Sequence, residues 1–368
     1  MMLIAKPEHL EAVLKTQFDF FPKSQYIHDV FFHFLGDNIV VTNDQMWKRQ
    51  RSIMLQLFST GALREHMTPI VQRYTGKLVD MLADAAAQKT PLDVFNIGFG
   101  AKMNSMNGAS QPFSDAISQS SHLVANRFKL PMWYWKLLRW LNVGDEHKIR
   151  KDVQVIDETI LGFIADAIER RRLRTTTTAY QPEAHKNKDI ISIVLDMMEL
   201  EGVPLNTVTV RNIALASIIA GRDTTANPMG WFFHVLSQNP QVETKLRDEI
   251  LANIPELRTD KHYIPSIEDI SKVPYLEASI LEGLRLYPPV PLIATHCIKD
   301  TVLPDGTFVP AKTDVGIAVF SSGRLASVWG HDALEFKPER FLDDAGALIP
   351  MSATTFAAFS AGPRICVG

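Results

Sequence analysis

Cysteine is scarce in this chain: 368 residues contain two, Cys297 and Cys366. They lie far apart and have no CxxC or Cys/His spacing around them. This excludes a disulfide framework, argues against a zinc knuckle, and fits a reducing compartment. No apolar run reaches the ~18 residues that a membrane-spanning helix needs, and the opening MMLIAKPEHL has the pattern of neither a secretory signal nor a span. Charge of one sign is not in excess either. Lys plus Arg number 38 against 41 Asp plus Glu, a net of −3, so nothing in the balance points to nucleic acid or to a polybasic membrane arm.

What is present is apolar content, 46% of the chain, enough to fill the core of one large domain. Most of it follows a helical period. Ala5–Phe18, Asp157–Arg174 and Asp189–Leu200 carry apolar residues at three- and four-residue spacing. Thr175–Asp189 is polar, contains a proline and reads as a loop. The basic run Arg170–Arg174 before it reads as a solvated helix end favoured by the dipole. Near the C-terminus, Asp305-Gly306 between β-capable residues predicts a hairpin, and Asp314–Phe320 continues as strand. Phe128–Leu141, FKLPMWYWKLLRWL, reads first as a packed amphipathic helix, with a substrate entrance or a bilayer contact as the alternatives. The fold class expected is mainly α with a small β-region.

Cys366 stands in FSAGPRICVG, Phe359–Gly368. A free cysteine is usually a small buried hydrophobe. From this chain's own composition, however, Phe-x-x-Gly-x-x-x-Cys-x-Gly arises by accident in roughly three of ten thousand such chains. Phe359, Gly362, Arg364, Cys366 and Gly368 resemble the haem-thiolate loop of the cytochrome P-450 monooxygenases. The residue types suit that task. A thiolate donates electron density to iron, glycine lets the backbone turn close to the sulfur, and a permanent guanidinium cation suits a haem propionate.

Three further segments resemble the family in the expected order. AGRDTT, Ala220–Thr225, is similar to the oxygen-binding groove of its long central helix, and that resemblance assigns Asp223 and Thr224 to proton delivery as an acid beside an alcohol. The bland reading is a helix cap. LEGLRLYPP and FKPERF are similar to the Glu-x-x-Arg helix and the Pro-Glu-Arg-Phe meander, which implies a buried structural network of Glu282, Arg285 and Arg340. DQMWKRQRSIM places Trp47 and Arg51 one helical turn apart, and the resemblance makes them donors to a propionate. The wording of HMTPIVQRYTGKL, WGHDALEFKPERF and AGPRICVG is most like the fatty-acid and alkane hydroxylating branch.

The resemblance spans essentially the whole chain, 1–368, as a single domain. It implies haem b with Cys366 as the axial thiolate to iron, O₂ as co-substrate, a lipophilic substrate, and electrons from NADPH through NADPH-cytochrome P-450 reductase at the cytoplasmic face of the endoplasmic reticulum membrane. Departures are also legible. The family's membrane anchor and first strands are missing, so the chain is expected to open at a helix. A whole helix is absent between PLDVFN and IGFG, pointing to a deletion near 93–98. The helix after the Cys loop is absent, so the chain reads as a fragment of a complete enzyme. The family often has a basic residue about where Thr295 stands, for which His296 is the candidate substitute, and Pro228 is unexpected inside the central helix. Two alternatives stay open: a haem-thiolate enzyme that rearranges peroxides without a reductase, against which Asp223-Thr224 argues, and a non-enzymatic truncated product unable to hold haem.

Overall fold

The computed structural model describes residues 1–58, 61, 64, 68–90, 112–176, 190–200, 202, 204–260 and 262–367. In chain order these form β1 (Met2–Ile4), α1 (Pro7–Glu11), α2 (Gln25–Leu35), α3 (Asp44–Leu57) and α4 (Thr68–Gln88). Next come α5 (Pro112–Asn126), α6 (Met132–Leu141), α7 (Gly144–Thr176), α8 (Ile190–Leu200), α9 (Thr207–Gln238) and α10 (Pro240–Asn253). The last are α11 (Pro274–Leu286), β2 (Ile293–His296), β3 (Thr301–Val302), β4 (Phe308–Val309) and β5 (Asp314–Ile317). Short helical turns fill several connections. Helix dominates and the strands are few and short, as composition and periodicity predict. The chain groups into two compact units, one from the described residues of Met1–Pro22, Val71–Ala101 and Arg222–Cys366, the other from those of Lys23–Ile70 and Lys102–Gly221 with Val367.

In the first unit, β5 is the centre of a three-stranded sheet. It pairs parallel with β1, Leu3 opposite Gly316, and antiparallel with β2, His296 opposite Asp314. The chain therefore opens on a strand, not on the helix expected, because a non-local pairing overrides the local pattern. The periodic run that follows also divides. α1 ends at Glu11 and a π-helical turn covers Ala12–Thr16. Ala12, Val13 and Leu14 are all buried, and three consecutive inward residues do not fit one face of a 3.6-residue helix. β3 and β4 pair as the hairpin predicted, with Gly306 at φ +87° in its turn. The strand expected over Asp314–Phe320 stops at Ile317: the amide of Ala318 makes a bond to the Ile4 carbonyl, and Val319–Ser322 turns into helix.

The second unit packs α2, α3, α5, α7, α8 and the start of α9 around Val30, Phe34, Ile53, Ile117, Ile156, Val194 and Ile213. A fully buried ion pair joins two of its elements, Arg127 Nε to Glu146 Oε1 and Nη2 to Oε2, both at 2.7 Å, while the third guanidine nitrogen donates to the Val30 carbonyl. On α6 only Trp135 is buried, its ring 4.7 Å from the Arg127 guanidinium. The packed helix expected here is present, with Trp135 in the core and Met132 packed against it, but Trp133 and Trp140 are 68% and 79% exposed: the aromatic residues surround α6, and the core takes just one of them.

The helix expected over Asp157–Arg174 lies inside the longer α7. Arg171, read as part of a solvated helix end, is instead paired with Asp196 of α8 at 2.7 Å and with Glu199. Residues 177–189 and the proposed deletion near 93–98 fall outside the described residues. Among the described residues no helix is long and apolar enough to cross a membrane.

Candidate functional site

The loop that carries Cys366 is shaped by two left-handed residues, Ser360 at φ +61° and Gly362 at φ +65°. At Gly362 the glycine is required twice over. Its φ is one that L side chains rarely adopt, and a Cβ there would stand 1.9 Å from the Leu14 carbonyl oxygen. Next to it Ala361 is fully buried in the core formed with Leu10, Leu14 and Ile317, so the base of the loop is pinned. A single 3₁₀ turn, Gly362–Arg364, carries Pro363 in its first turn, where a missing amide hydrogen costs little. The amide of Ile365 then donates to the Gly362 carbonyl at 3.0 Å, and the amide of Cys366 to the Phe359 carbonyl at 2.9 Å. These bonds close the loop and leave Cys366 exposed as a free thiol. Phe359 and Ile365 are exposed beside it. The Arg364 guanidinium is half-buried, 6.0 Å from the Phe18 ring centre.

Cys297 differs in every respect. It is buried in the sheet core, donates to the Lys299 carbonyl at 3.0 Å, and burial pushes its thiol above the ordinary range. A soft ligand needs a thiolate that can be reached, so Cys366 is the chemical choice.

Glu282, Arg285 and Arg340 meet. Arg285 forms a fork on Glu282, Nε to Oε2 at 2.6 Å and Nη2 to Oε1 at 2.8 Å, and donates further to the carbonyls of Ala333 (2.7 Å), Glu335 (3.1 Å) and Gly323. Glu282 Oε1 also accepts from the Lys337 amide at 2.9 Å and from Arg340 Nε at 3.3 Å. Arg340 continues to the Trp329 carbonyl at 2.6 Å and to the Asp332 carboxylate at 2.7 Å. Both Glu282 and Arg285 are buried completely, and the many bonds replace the water they lose. Asp332 was not foreseen; nothing in its spacing marks it as the second carboxylate for Arg340. Its carboxyl is held far below the ordinary range by its bonds to Lys337 and then Arg340.

On α9, Asp223 is about one third exposed and Thr224 is exposed. Burial pushes the Asp223 carboxyl up, and the neighbouring Arg222, whose Nε lies 3.5 Å from Asp223 Oδ1, works against that. The helix cap reading fails, because the pair sits in the interior of a helix that continues through Pro228. Arg222, itself buried, was overlooked in the sequence; its place beside the acid was the signal.

Trp47 and Arg51 lie one turn apart on α3 in the second unit, Trp47 buried and Arg51 half-buried. His296, at the end of β2, has its Nδ1 2.8 Å from Asp314 Oδ1 on the opposite strand. A carboxylate accepts, so Nδ1 carries the proton, and Nε2 can donate to a second anion only as imidazolium. Thr295 is buried and gives its hydroxyl to the Val315 carbonyl at 3.3 Å.

The donor set fits a haem. One reachable sulfur in a rigid loop, flanked by exposed phenyl and aliphatic groups, suits a flat apolar macrocycle that supplies the other ligands to its own metal. Among the described residues no cluster of three or more His, Cys, Asp or Glu could hold a bare ion.

The family model described as Cytochrome P450 matches residues 1–368. Cytochrome P450 86B1 of Arabidopsis thaliana is 31% identical, over 98% of this chain and 67% of that protein. Alkane hydroxylase MAH1 of Arabidopsis thaliana is 28% identical, over the whole chain and 74% of its own length, and Cytochrome P450 94A1 of Vicia sativa is 27% identical, over the whole chain and 71% of its length.

Proposed function

The chain belongs to the cytochrome P450 family, and we propose that it is a haem-thiolate monooxygenase acting on a lipophilic substrate of the fatty-acid or alkane class. Such an enzyme inserts one atom of O₂ into a C–H bond, with electrons delivered from NADPH by a separate reductase. The exposed thiol of Cys366 in its glycine-turned loop carries this reading. The likeness to an alkane hydroxylase supports the substrate class. Place in the cell is proposed as the endoplasmic reticulum membrane, and the exposed Trp133 and Trp140 of α6 suit a membrane interface.

When bound, haem supplies the activation of O₂ and the oxidising power. Cys366 would hold it through sulfur, with Phe359 and Ile365 as apolar cover. Arg364, Trp47, Arg51 and His296 would neutralise or hydrogen-bond the propionates. Asp223 would take protons from solvent at its carboxylate, and the Thr224 hydroxyl would pass them on while holding water in place. The Glu282–Arg285–Arg340 network keeps α11 fixed against the segment Gly323–Arg340. A carboxylate and an alcohol together favour oxygen insertion over peroxide rearrangement, which consumes no delivered protons.

The test is a reduced carbon monoxide difference spectrum of the chain loaded with haem. Wild type and Cys297→Ser should give the red-shifted thiolate band and Cys366→Ser should not. A band that survives Cys366→Ser overturns the ligand, and fatty acids and alkanes that leave the haem spectrum unchanged overturn the substrate class.

A further inference from the structure

The acid on α9 sits in an unfavourable place. Asp223 is two thirds covered, its Oδ1 makes no hydrogen bond among the described residues, and desolvation favours its neutral form. A carboxyl that stays protonated cannot collect the next proton, so a relay built on it needs something that restores the anion after each transfer. Neighbours in sequence on a helix normally point apart. Here they do not: Arg222 Nε reaches within 3.5 Å of Asp223 Oδ1. Arg222 is also 5% exposed, so solvent screens this contact far less than it would a surface pair. Among the described residues it is the one charged group found to act on Asp223. A guanidinium cannot give up its own proton at working pH, so it serves only as a fixed positive charge.

We propose that Arg222 is a positioning residue for proton delivery, holding the Asp223 carboxylate ionised and in place between transfers. In each cycle a proton from bulk water bonds to a carboxylate oxygen and leaves again toward the Thr224 hydroxyl. The guanidinium favours the anion at the start and the end of that cycle, and no redox change occurs at either side chain. The proposal rests on the monooxygenase reading only for the use made of the proton; the ionisation it describes can be measured separately.

The experiment is a ¹³C NMR titration of the carboxyl carbons in the reduced, carbon monoxide-bound holoenzyme, a diamagnetic state, with the Asp223 signal assigned by its loss in Asp223→Asn. In the unmodified holoenzyme the Asp223 carboxyl should be ionised at neutral pH. Arg222→Gln should displace its midpoint upward by about one pH unit, the lower end of what a cation a few ångströms away does to a carboxyl. Arg222→Lys should restore most of the displacement. In turnover, Arg222→Gln should divert NADPH electrons to hydrogen peroxide increasingly as pH falls, and adding Asp223→Asn to it should bring no further loss. A wild-type carboxyl found protonated at neutral pH overturns the proposal even if the Arg222 variants fail to fold. An unmoved midpoint in Arg222→Gln, or additive losses in the double variant, does the same. Absence of the thiolate band in wild type would instead overturn the monooxygenase reading, so the two failures are distinct.

Discussion

Replacing Arg285 by lysine keeps the charge and removes the fork. An ammonium can still reach one oxygen of Glu282, but it cannot simultaneously serve the carbonyls of Gly323, Ala333 and Glu335, which one planar guanidinium serves now. At least two buried carbonyls then lose their donor, each at a cost of ~1–3 kcal/mol. The stacking of the guanidinium on Trp329, 5.1 Å from ring centre to Cζ, is lost as well. A total near 3 kcal/mol follows, a large part of the ~5–15 kcal/mol by which a domain is stable. In urea, with a slope of about 3 kcal/mol per molar, the unfolding midpoint should fall by about 1 M, read by tryptophan fluorescence since Trp329 lies against the variant side chain. Glu282→Gln should cost at least as much, about 3–5 kcal/mol, because it leaves a buried cation without its counter-charge. If Arg285→Lys unfolds within about 0.5 kcal/mol of wild type, a value typical of neutral surface changes, the network is not what holds α11 to the segment Gly323–Arg340.

Gly362→Ala should abolish the thiolate band in the haem-loaded chain, since φ of +65° and a Cβ 1.9 Å from the Leu14 carbonyl both forbid the present turn; a normal band would show that the loop can be rebuilt around a methyl group. Trp133→Ala with Trp140→Ala should weaken flotation with phosphatidylcholine–phosphatidylserine vesicles by at least about tenfold, given the ~1.5–3 kcal/mol gained by burying each large apolar side chain, and unchanged flotation would remove α6 from membrane contact. Bonds from Thr307, and then the nearby His9, hold the Asp305 carboxyl down to about 2. Its folded value is depressed, so its contribution is complete above the ordinary value near 4 and is lost as pH falls through about 2. Hydrogen exchange at the Thr307 amide should accelerate over that window beyond its intrinsic rate, and constant protection from pH 5 to 2 would contradict the tie.

The features legible from sequence are those whose physics is local or whose residues stand in fixed order. Glu282 and Arg285 share a helix face by their spacing alone, and the Asp305-Gly306 turn announces its hairpin by the φ that glycine permits. What was hidden is decided through space. Met2–Ile4 is a strand because β5 offers it an edge. Asp332 joins Arg340 because the chain between them folds back, and the aromatic residues of α6 cannot show which ring is buried until Arg127 is in place beneath Trp135. Arg171 was read as solvated for the same reason, since Asp196 belongs to the next helix.

Pro228 is the place where local preference and observed structure disagree most sharply. A proline inside a helix costs about 3 kcal/mol and brings no amide hydrogen for the carbonyl four residues earlier, here that of Thr224. Yet α9 runs unbroken from Thr207 to Gln238, so packing along its length more than offsets the penalty. The preceding turn holds Arg222, Asp223 and Thr224: a buried cation, a desolvated acid and an alcohol. Each departs from what would make the most stable helix. Departures from local consistency that collect within two turns, while the rest of the element follows its pattern, are what a site selected for chemistry rather than for stability leaves in a sequence. On the proposed role of Asp223 and Thr224, Pro228→Ala should stabilise the helix while altering the share of electrons lost to peroxide. A variant more stable yet identical in coupling would return the proline to the category of tolerated accidents.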